Sequence, residues 1–428
     1  MKVSDVDVAV IGGGAAGMAA ALNAENAGID NVIIFEWASE LGGILPQCIH
    51  PGFGLDYFKE NLTGPEYIQR FINRVEDSEI KIMTDSTVIE LEAGETNKLL
   101  VSRSKVGLEE VRAKTVILTT GCRERGRFNL NLSGDRCAGI FTAGTAQRLM
   151  DIDGIMPGKN VVVLGSGDVG LIMARRFAQE GAEVKGVFEI MPYPGGLQRN
   201  VVQCLEDYGI PLYLGTTVVE VKGKQRVEGV VVAKVNENFN TIQNTKTEIK
   251  CDTLILSAGL VPDWRLPRIS PPAKGINIDE KTAGPVVNNL LETSMPNIFA
   301  AGNFLMVNDT VDDVTYQGEL AGKNAAKSVK FEGMATEQIE WRNAVPGDGI
   351  RFVVPQKFSG RSDIRFYLRV IRPAEKVRIE IPEIGKGFFK KIVRPAEMIK
   401  IDLKADDIND VSRLSFNLSS SKKDVRIK

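Results

Sequence analysis

Two stretches of the chain carry the same succession of apolar runs and glycines. Residues 6 to 36 read VDVAVIGGG, AAGMAAALNAENAG and NVIIFE, which predicts a strand, a glycine turn, an alanine-rich helix and a second strand. Residues 160 to 189 repeat the pattern as NVVVLGSG, DVGLIMARRFAQEG and AEVKGVFE. Apolar β-branched runs around such a helix are the βαβ pattern of a parallel sheet. Gly12, Gly14, Gly17, Glu36, Gly42 and Gly43 of the first copy correspond one by one to Gly165, Gly167, Gly170, Glu189, Gly195 and Gly196 of the second, always 153 positions on. A second echo pairs VRAKTVILTTG, ending at Gly121, with IKCDTLILSAG, ending at Gly259. The expectation is two related nucleotide-binding folds, one inserted into the other.

The stretch TSMPNIFAAGN, 293 to 303, predicts another apolar strand ending in a glycine turn, with a helix from about Asp312 to Val329. It is placed back in the first fold. Beyond Pro346 the pattern changes to short alternating runs, VRIEI at 377 to 381 and MIKIDL at 398 to 403, each preceded by RPAE. Two similar strands of a small antiparallel β domain are expected there. The fold class is therefore α/β, with residues 1–121 and 286–343 forming one Rossmann-like domain, 122–285 the inserted one, and 344–428 a β-rich C-terminal domain.

Composition narrows the function classes. The 428 residues are 43% apolar and 25% charged with a net charge of −2, and no basic tract suits nucleic acid or another polyanion. No uninterrupted apolar run is long enough for a membrane span, and Asp5 and Asp7 before the N-terminal apolar run argue against a signal peptide. Five scattered cysteines without a C-x-x-C predict neither zinc nor an iron–sulfur cluster, so no metal is expected; free thiols in the cytoplasm are the simplest reading.

Both G-x-G-x-x-G runs have the context that gives the motif meaning: a strand before, a helix after, and an acidic residue about 20 positions on. Gly12 permits the sharp turn, Gly14 lets backbone approach a pyrophosphate, and Gly17 lets helix and strand pack closely. The helix N-terminus attracts the phosphate charge, and Glu36 is expected to accept from a ribose. Glu189 in the second copy favours a free 2′-hydroxyl and repels a 2′-phosphate, so NADH is expected over NADPH.

With VDVAVIGGGAAG, TTGCRERG, VVVLGSGDVG, SAGLVP and TSMPNIFAAGN in place, the chain from about 5 to 335 resembles the FAD-dependent pyridine nucleotide-disulfide oxidoreductases. TTGCRERG followed by AGIFTAGTAQ resembles a branch that includes flavoproteins associated with glycerol-3-phosphate dehydrogenase and the FAD subunits of hydrogen cyanide synthase and opine oxidase. The resemblance implies FAD in the first fold and NAD(H) in the second. It also implies that the turn at Gly302 reaches the flavin, with Asn303 where many members have Asp, and that N–H groups of the next helix, near Thr310 to Thr315, face the reduced ring. In this branch such chains work beside a second flavoprotein dehydrogenase and a small cysteine-rich carrier.

The segment GGILPQCIHPGFG, Gly42 to Gly54, departs from the family pattern. The disulfide reductases follow the glycine pair with C-x-x-x-x-C, and the two cysteine positions are Leu45 and His50 here. Dithiol catalysis is thereby excluded. Two readings of His50, the single histidine, stand side by side: proton exchange during flavin turnover, or a turn residue packed near the ring. Cys48 likewise is either a residue cycling through sulfenic acid or a packed thiol. Arg123, Arg125 and Arg127 either clamp a phosphate or pair with Glu124.

The expected function is hydride transfer between NADH and FAD, with electrons passed to or from a partner protein or small acceptor, including a link to glycerol-3-phosphate oxidation. The alternatives are a self-sufficient NADH oxidase or peroxidase using Cys48, and a flavin-binding assembly subunit whose C-terminal β domain docks a multi-subunit dehydrogenase.

Overall fold

The computed structural model describes residues 2–266, 269–270, 275–330 and 339–420. Parts of the expected segments 122–285, 286–343 and 344–428, namely 267–268, 271–274, 331–338 and 421–428, lie outside the described residues. The chain divides into two compact units at Cys122/Arg123 and Leu260/Val261.

The first unit starts with β1 (Lys2–Ile11), α1 (Ala15–Asn26) and β2 (Val32–Phe35). β1 runs parallel to β2 and, on its other side, to β3 (Gly107–Leu118), with Ile11 opposite Phe35 and Leu118. All four residues of β2 are buried, as a central parallel strand requires. The alanines of α1 are buried around most of its circumference, so this helix lies inside the unit rather than along its surface. Strands Ser86–Glu92 and Asn97–Arg103 join the lower half of β3 as an antiparallel meander.

The second unit repeats the plan. β4 (Asn160–Leu164), α2 (Asp168–Gln179) and β5 (Glu183–Glu189) form its βαβ core, and β6 (Thr253–Leu256) runs parallel to β4 on the far side from β5. Strands Ile140–Thr142 and Leu212–Leu214 complete a five-stranded parallel sheet.

The chain returns to the first unit earlier than expected. The described residues of 261–285, assigned above to the inserted fold, group with the first unit instead. Ile269–Ser270 pairs with Leu91–Glu92, Ile276 is buried in the first core, and Trp264 packs edge-on against Phe304 at 4.8 Å. Next, β7 (Ile298–Ala300) adds to β3, and α3 (Val311–Lys330) lies against α1. A Cβ on Gly318 would stand 2.3 Å from the Ala16 carbonyl oxygen, and one on Gly322 2.0 Å from that of Ala20. These contacts advance in the same direction along both helices, so the helices are parallel and their N-termini lie at one end of the sheet. Val311 precedes Gln317, the residue level with the start of α1, by six positions, so α3 reaches about 9 Å further at about 1.5 Å per residue.

The C-terminal residues form two sheets. One is five-stranded and includes β9 (Ala374–Ile381) and β10 (Lys386–Val393); the other holds Ile350–Val354, β8 (Ile364–Val370) and β11 (Ile399–Leu403). Phe358, Phe366 and Phe416 fill the core between them. The two RPAE echoes differ in structure. The first enters β9, whereas the second is a turn closed by Glu397 N–H on the Arg394 carbonyl, and the strands that follow belong to different sheets.

Candidate functional site

In the first unit the glycine turn lies where β1 gives way to α1. Gly12 has φ +114°, a conformation L side chains rarely adopt, and a Cβ there would stand 2.4 Å from the Thr119 carbonyl oxygen. The Thr119 hydroxyl donates to the carbonyls of Ile11 and Gly12 at 3.0 and 3.1 Å, and Gly17 packs against Gly12 and Thr119 from the helix side. Gly14 is the N-cap of α1 and no side chain caps it, so the first-turn N–H groups are open to an anion. Gly42 donates to the Gly13 carbonyl at 2.9 Å and Gly43 faces Gly14, which lays the loop across the turn without bulk.

Glu36 closes the cradle. It is 3% exposed and accepts from Gly13 N–H at 2.7 Å and Ala38 N–H at 2.8 Å. Burial pushes its carboxyl above the usual range, against the pull of the Ala38, Gly13 and Trp37 amides. A carboxylate offers about four lone-pair positions, so acceptor room remains for hydroxyl groups.

The far end of this site is the turn before α3. Gly302 donates to Gln317 Oε1 at 3.1 Å, Gln317 Nε2 donates to Asn308 Oδ1 at 2.9 Å, and Asn308 N–H donates to Asn303 Oδ1 at 3.0 Å. The Asn303 amide is thus oriented by its neighbours. At the start of α3 the Asp313 N–H is taken by Thr310 Oγ1 at 3.3 Å, and the Asp312 carboxylate accepts from the amides of Gly54 and Asp56 at 3.1 and 2.7 Å. Gly121 closes β3 at φ +71°, its carbonyl accepting from Asp263 N–H.

Cys48 and His50 follow the short 3-10 turn Leu45–Gln47. Cys48 is 9% exposed, its thiol donates to the Ile44 carbonyl at 3.4 Å, and its own carbonyl accepts from Gly64 N–H. His50 is half-buried, with Nδ1 3.1 Å from the Pro51 carbonyl and its ring 5.1 Å from that of Phe53.

The second unit has its own cradle. Gly165, at φ +96°, and Gly170 lean on Ser257 as Gly12 and Gly17 lean on Thr119, and Gly167 is the N-cap of α2 without a side-chain cap. Glu189 is 7% exposed; Oε2 accepts from Ser166 N–H at 2.9 Å and Ser166 Oγ at 2.6 Å, while Oε1 accepts from Met191 N–H at 2.9 Å. Asp168, first in α2, is turned onto Leu197 N–H and Asn200. Gly259 ends the echo strand at φ +102°.

Of the arginine cluster, Arg127 donates to the carbonyls of Leu132, Ser133, Gly134 and Asp135, while Glu124 accepts from Gly144 N–H at 2.9 Å at the start of helix Ala143–Asp151. Thr119 and Ser257, missed above, occupy equivalent positions of the TTG and SAG echoes, which was a readable signal.

Residues 6–327 match the family described as pyridine nucleotide-disulphide oxidoreductase. The chain belongs to that family. It is an FAD-dependent oxidoreductase fold whose second cofactor is NAD(P)H. It is 25% identical over 312 residues to hydrogen cyanide synthase subunit HcnB of Pseudomonas aeruginosa, covering 69% of this chain and 65% of that one. It is 27% identical over 308 residues to the NAD(P)H coenzyme A polysulfide/persulfide reductase of Pyrococcus horikoshii, covering 69% and 62%. The matches thus span less than two thirds of these relatives' length. The crystal structure of T. acidophilum thioredoxin reductase shares the fold, with a TM-score of 0.60, 24% identity, and coverage of 77% of this chain and 99% of that one. Residues 328–428 lie outside the family match. Among the described residues no helix is long and apolar enough to cross a membrane.

Proposed function

We propose that this chain transfers hydride between NADH and FAD and exchanges the electrons with a partner protein or a small acceptor. The observation that carries this reading is the pair of uncapped, glycine-built helix starts, each with a buried glutamate at the end of the next strand. In the first unit the cradle fits an elongated dinucleotide: a pyrophosphate at Gly14 and the start of α1, a ribose at Glu36, and a far end toward Gly302, Asn303 and the start of α3, about 9 Å further along. FAD bound there supplies a ring that accepts a hydride and releases electrons. Gly42 and Gly43 cover the pyrophosphate, and Gly121 ends the strand beneath it. In the second unit Gly165, Gly167 and Gly170 receive the NAD pyrophosphate, Glu189 the ribose, and Gly259 closes the turn.

The thiol geometry at Cys48 favours partner-linked transfer over the oxidase or peroxidase reading. Its S–H points at the Ile44 carbonyl in its own turn and the residue is 9% exposed, which limits access of a peroxide to the sulfur. His50, bonded to the adjacent carbonyl, acts as a turn residue. HcnB is a subunit of hydrogen cyanide synthase, which supports assembly of this chain with further subunits; a second flavoprotein dehydrogenase is the partner to try first, with glycerol-3-phosphate as its substrate.

Anaerobic stopped-flow absorbance at the flavin band tests this. NADH is expected to bleach the flavin, in Cys48→Ser as in wild type, and NADPH to do so far more slowly. Flavin present but unbleached by either nucleotide would overturn the reading in favour of an assembly subunit.

Glu36 adds a pH dependence. A raised folded pKa means that the protonated carboxyl stabilises the apoprotein below the ordinary value of 4.5, and that this contribution is lost as pH rises through the folded pKa. Ribose hydroxyls prefer the charged acceptor, so the affinity of the apoprotein for FAD is expected to fall as pH drops through the raised pKa of Glu36. Glu36→Gln should bind about tenfold more weakly on the alkaline side of that fall and show a flat profile. A wild-type profile as flat as that of the variant would refute this role.

A further inference from the structure

The C-terminal sheets, outside the family match, reach back to the start of α3. Arg369 of β8 pairs with Asp309 and donates to the Val307 carbonyl, and Met398 N–H donates to Asp309 Oδ2. Lys400 of β11 lies 2.6 Å from Asp313 Oδ1. Asp313 is 2% exposed, and both Arg369 and Asp309 are 14% exposed, so these pairs act in a far less screened setting than surface ion pairs. Tyr367, on β8 opposite Lys400 of β11, is 7% exposed. Burial pushes the Tyr367 hydroxyl up to about 12, so it stays neutral.

The charge balance gives this contact a consequence. Asp309, Asp312 and Asp313 place three carboxylates at a helix start, where the helix dipole favours them. Alone they would oppose any further negative charge there. Arg369 and Lys400 offset two of the three. Arg365, the neighbouring cation on β8, is held by Asp402 at 2.7 and 3.0 Å.

We propose that the C-terminal domain sets the electron affinity of the flavin site, with Lys400 and Arg369 as positioning residues that offset Asp313 and Asp309. This rests on the reading that places the flavin end of FAD at the start of α3. Lys400→Met leaves the acids in excess and makes the reduced, more negative flavin harder to form; Asp313→Asn does the reverse.

The test is equilibrium reduction of the full-length holoprotein against a reference dye. Each single substitution is expected to change the reduced-to-oxidised flavin ratio at fixed potential by about three- to tenfold, in opposite directions, and the double variant to return near wild type. Lys400→Arg should restore the wild-type ratio. Loosened structure alone would move both singles the same way; that result, or no movement in either, overturns the proposal. If Lys400→Met fails to fold, Asp313→Asn and Lys400→Arg still decide it, because an unmoved ratio in Asp313→Asn is equally fatal. Wild type purified without flavin, and unable to take it up, would sink the underlying flavoprotein reading. Bound flavin with an indifferent ratio sinks only this inference.

Discussion

Gly12→Val is expected to yield a protein that retains no FAD and melts well below wild type. The position has φ +114°, and even a methyl group would overlap the Thr119 carbonyl oxygen at 2.4 Å. That oxygen cannot retreat, because Thr119 is bonded through its N–H and hydroxyl to the Ile11 carbonyl. Backbone strain together with overpacking should cost about 3 to 5 kcal/mol. The same movement would carry Gly13 N–H away from Glu36, so pyrophosphate cradle and ribose acceptor fail together. Gly181→Asn is the control: φ is +81°, but no atom lies within 4 Å of the added Cβ, so a loss near 1 kcal/mol with full flavin content is expected. Thermal melts and the flavin-to-protein absorbance ratio decide it. A yellow, stable Gly12→Val protein would show that the turn tolerates what its geometry forbids.

The duplicated cradle was legible because its demands are local. A left-handed turn, a close strand and a helix start each require glycine within a few residues, and the two strand-end acids accept from amides 23 positions back in both copies. Long-range arrangement was less legible. The return of 261–285 to the first unit depends on Ile269–Ser270 finding Leu91–Glu92, a pairing that the apolar pattern of two residues cannot announce. The docking of β8 and β11 on α3 depends on single charged side chains, Arg369 and Asp309, 60 positions apart within otherwise ordinary alternation. Nor did the repeated RPAE predict conformation, since the second copy is closed into a turn by its Arg394–Glu397 pair. His50 drew attention by rarity; its Nδ1 lies 3.1 Å from the Pro51 carbonyl and its ring 5.1 Å from that of Phe53.

Glu189→Gln should have the largest effect on the choice of nucleotide. The carboxylate takes three donors, Ser166 N–H, Ser166 Oγ–H and Met191 N–H, in a site only 7% exposed. An amide keeps the volume but must turn its NH2 toward one of those donors, which leaves a buried N–H facing another. It also replaces a charged acceptor for the ribose with a neutral one. Hydrogen bonds to charged groups contribute about 1.5 to 3 kcal/mol, so kcat/KM for flavin reduction by NADH should fall about 10- to 100-fold. NADPH should lose less, because the repulsion between the carboxylate and a 2′-phosphate disappears with the charge, and the ratio of the two nucleotides is the quantity to measure. A general weakening of the second unit would lower both rates alike, and a thermal melt of the variant reports such weakening directly. Unchanged NADH kinetics with an unchanged ratio would mean that Glu189 serves only to tie Ser166 and Met191 together, and that discrimination between the nucleotides is made elsewhere, in the loop from Ile190 to Leu197.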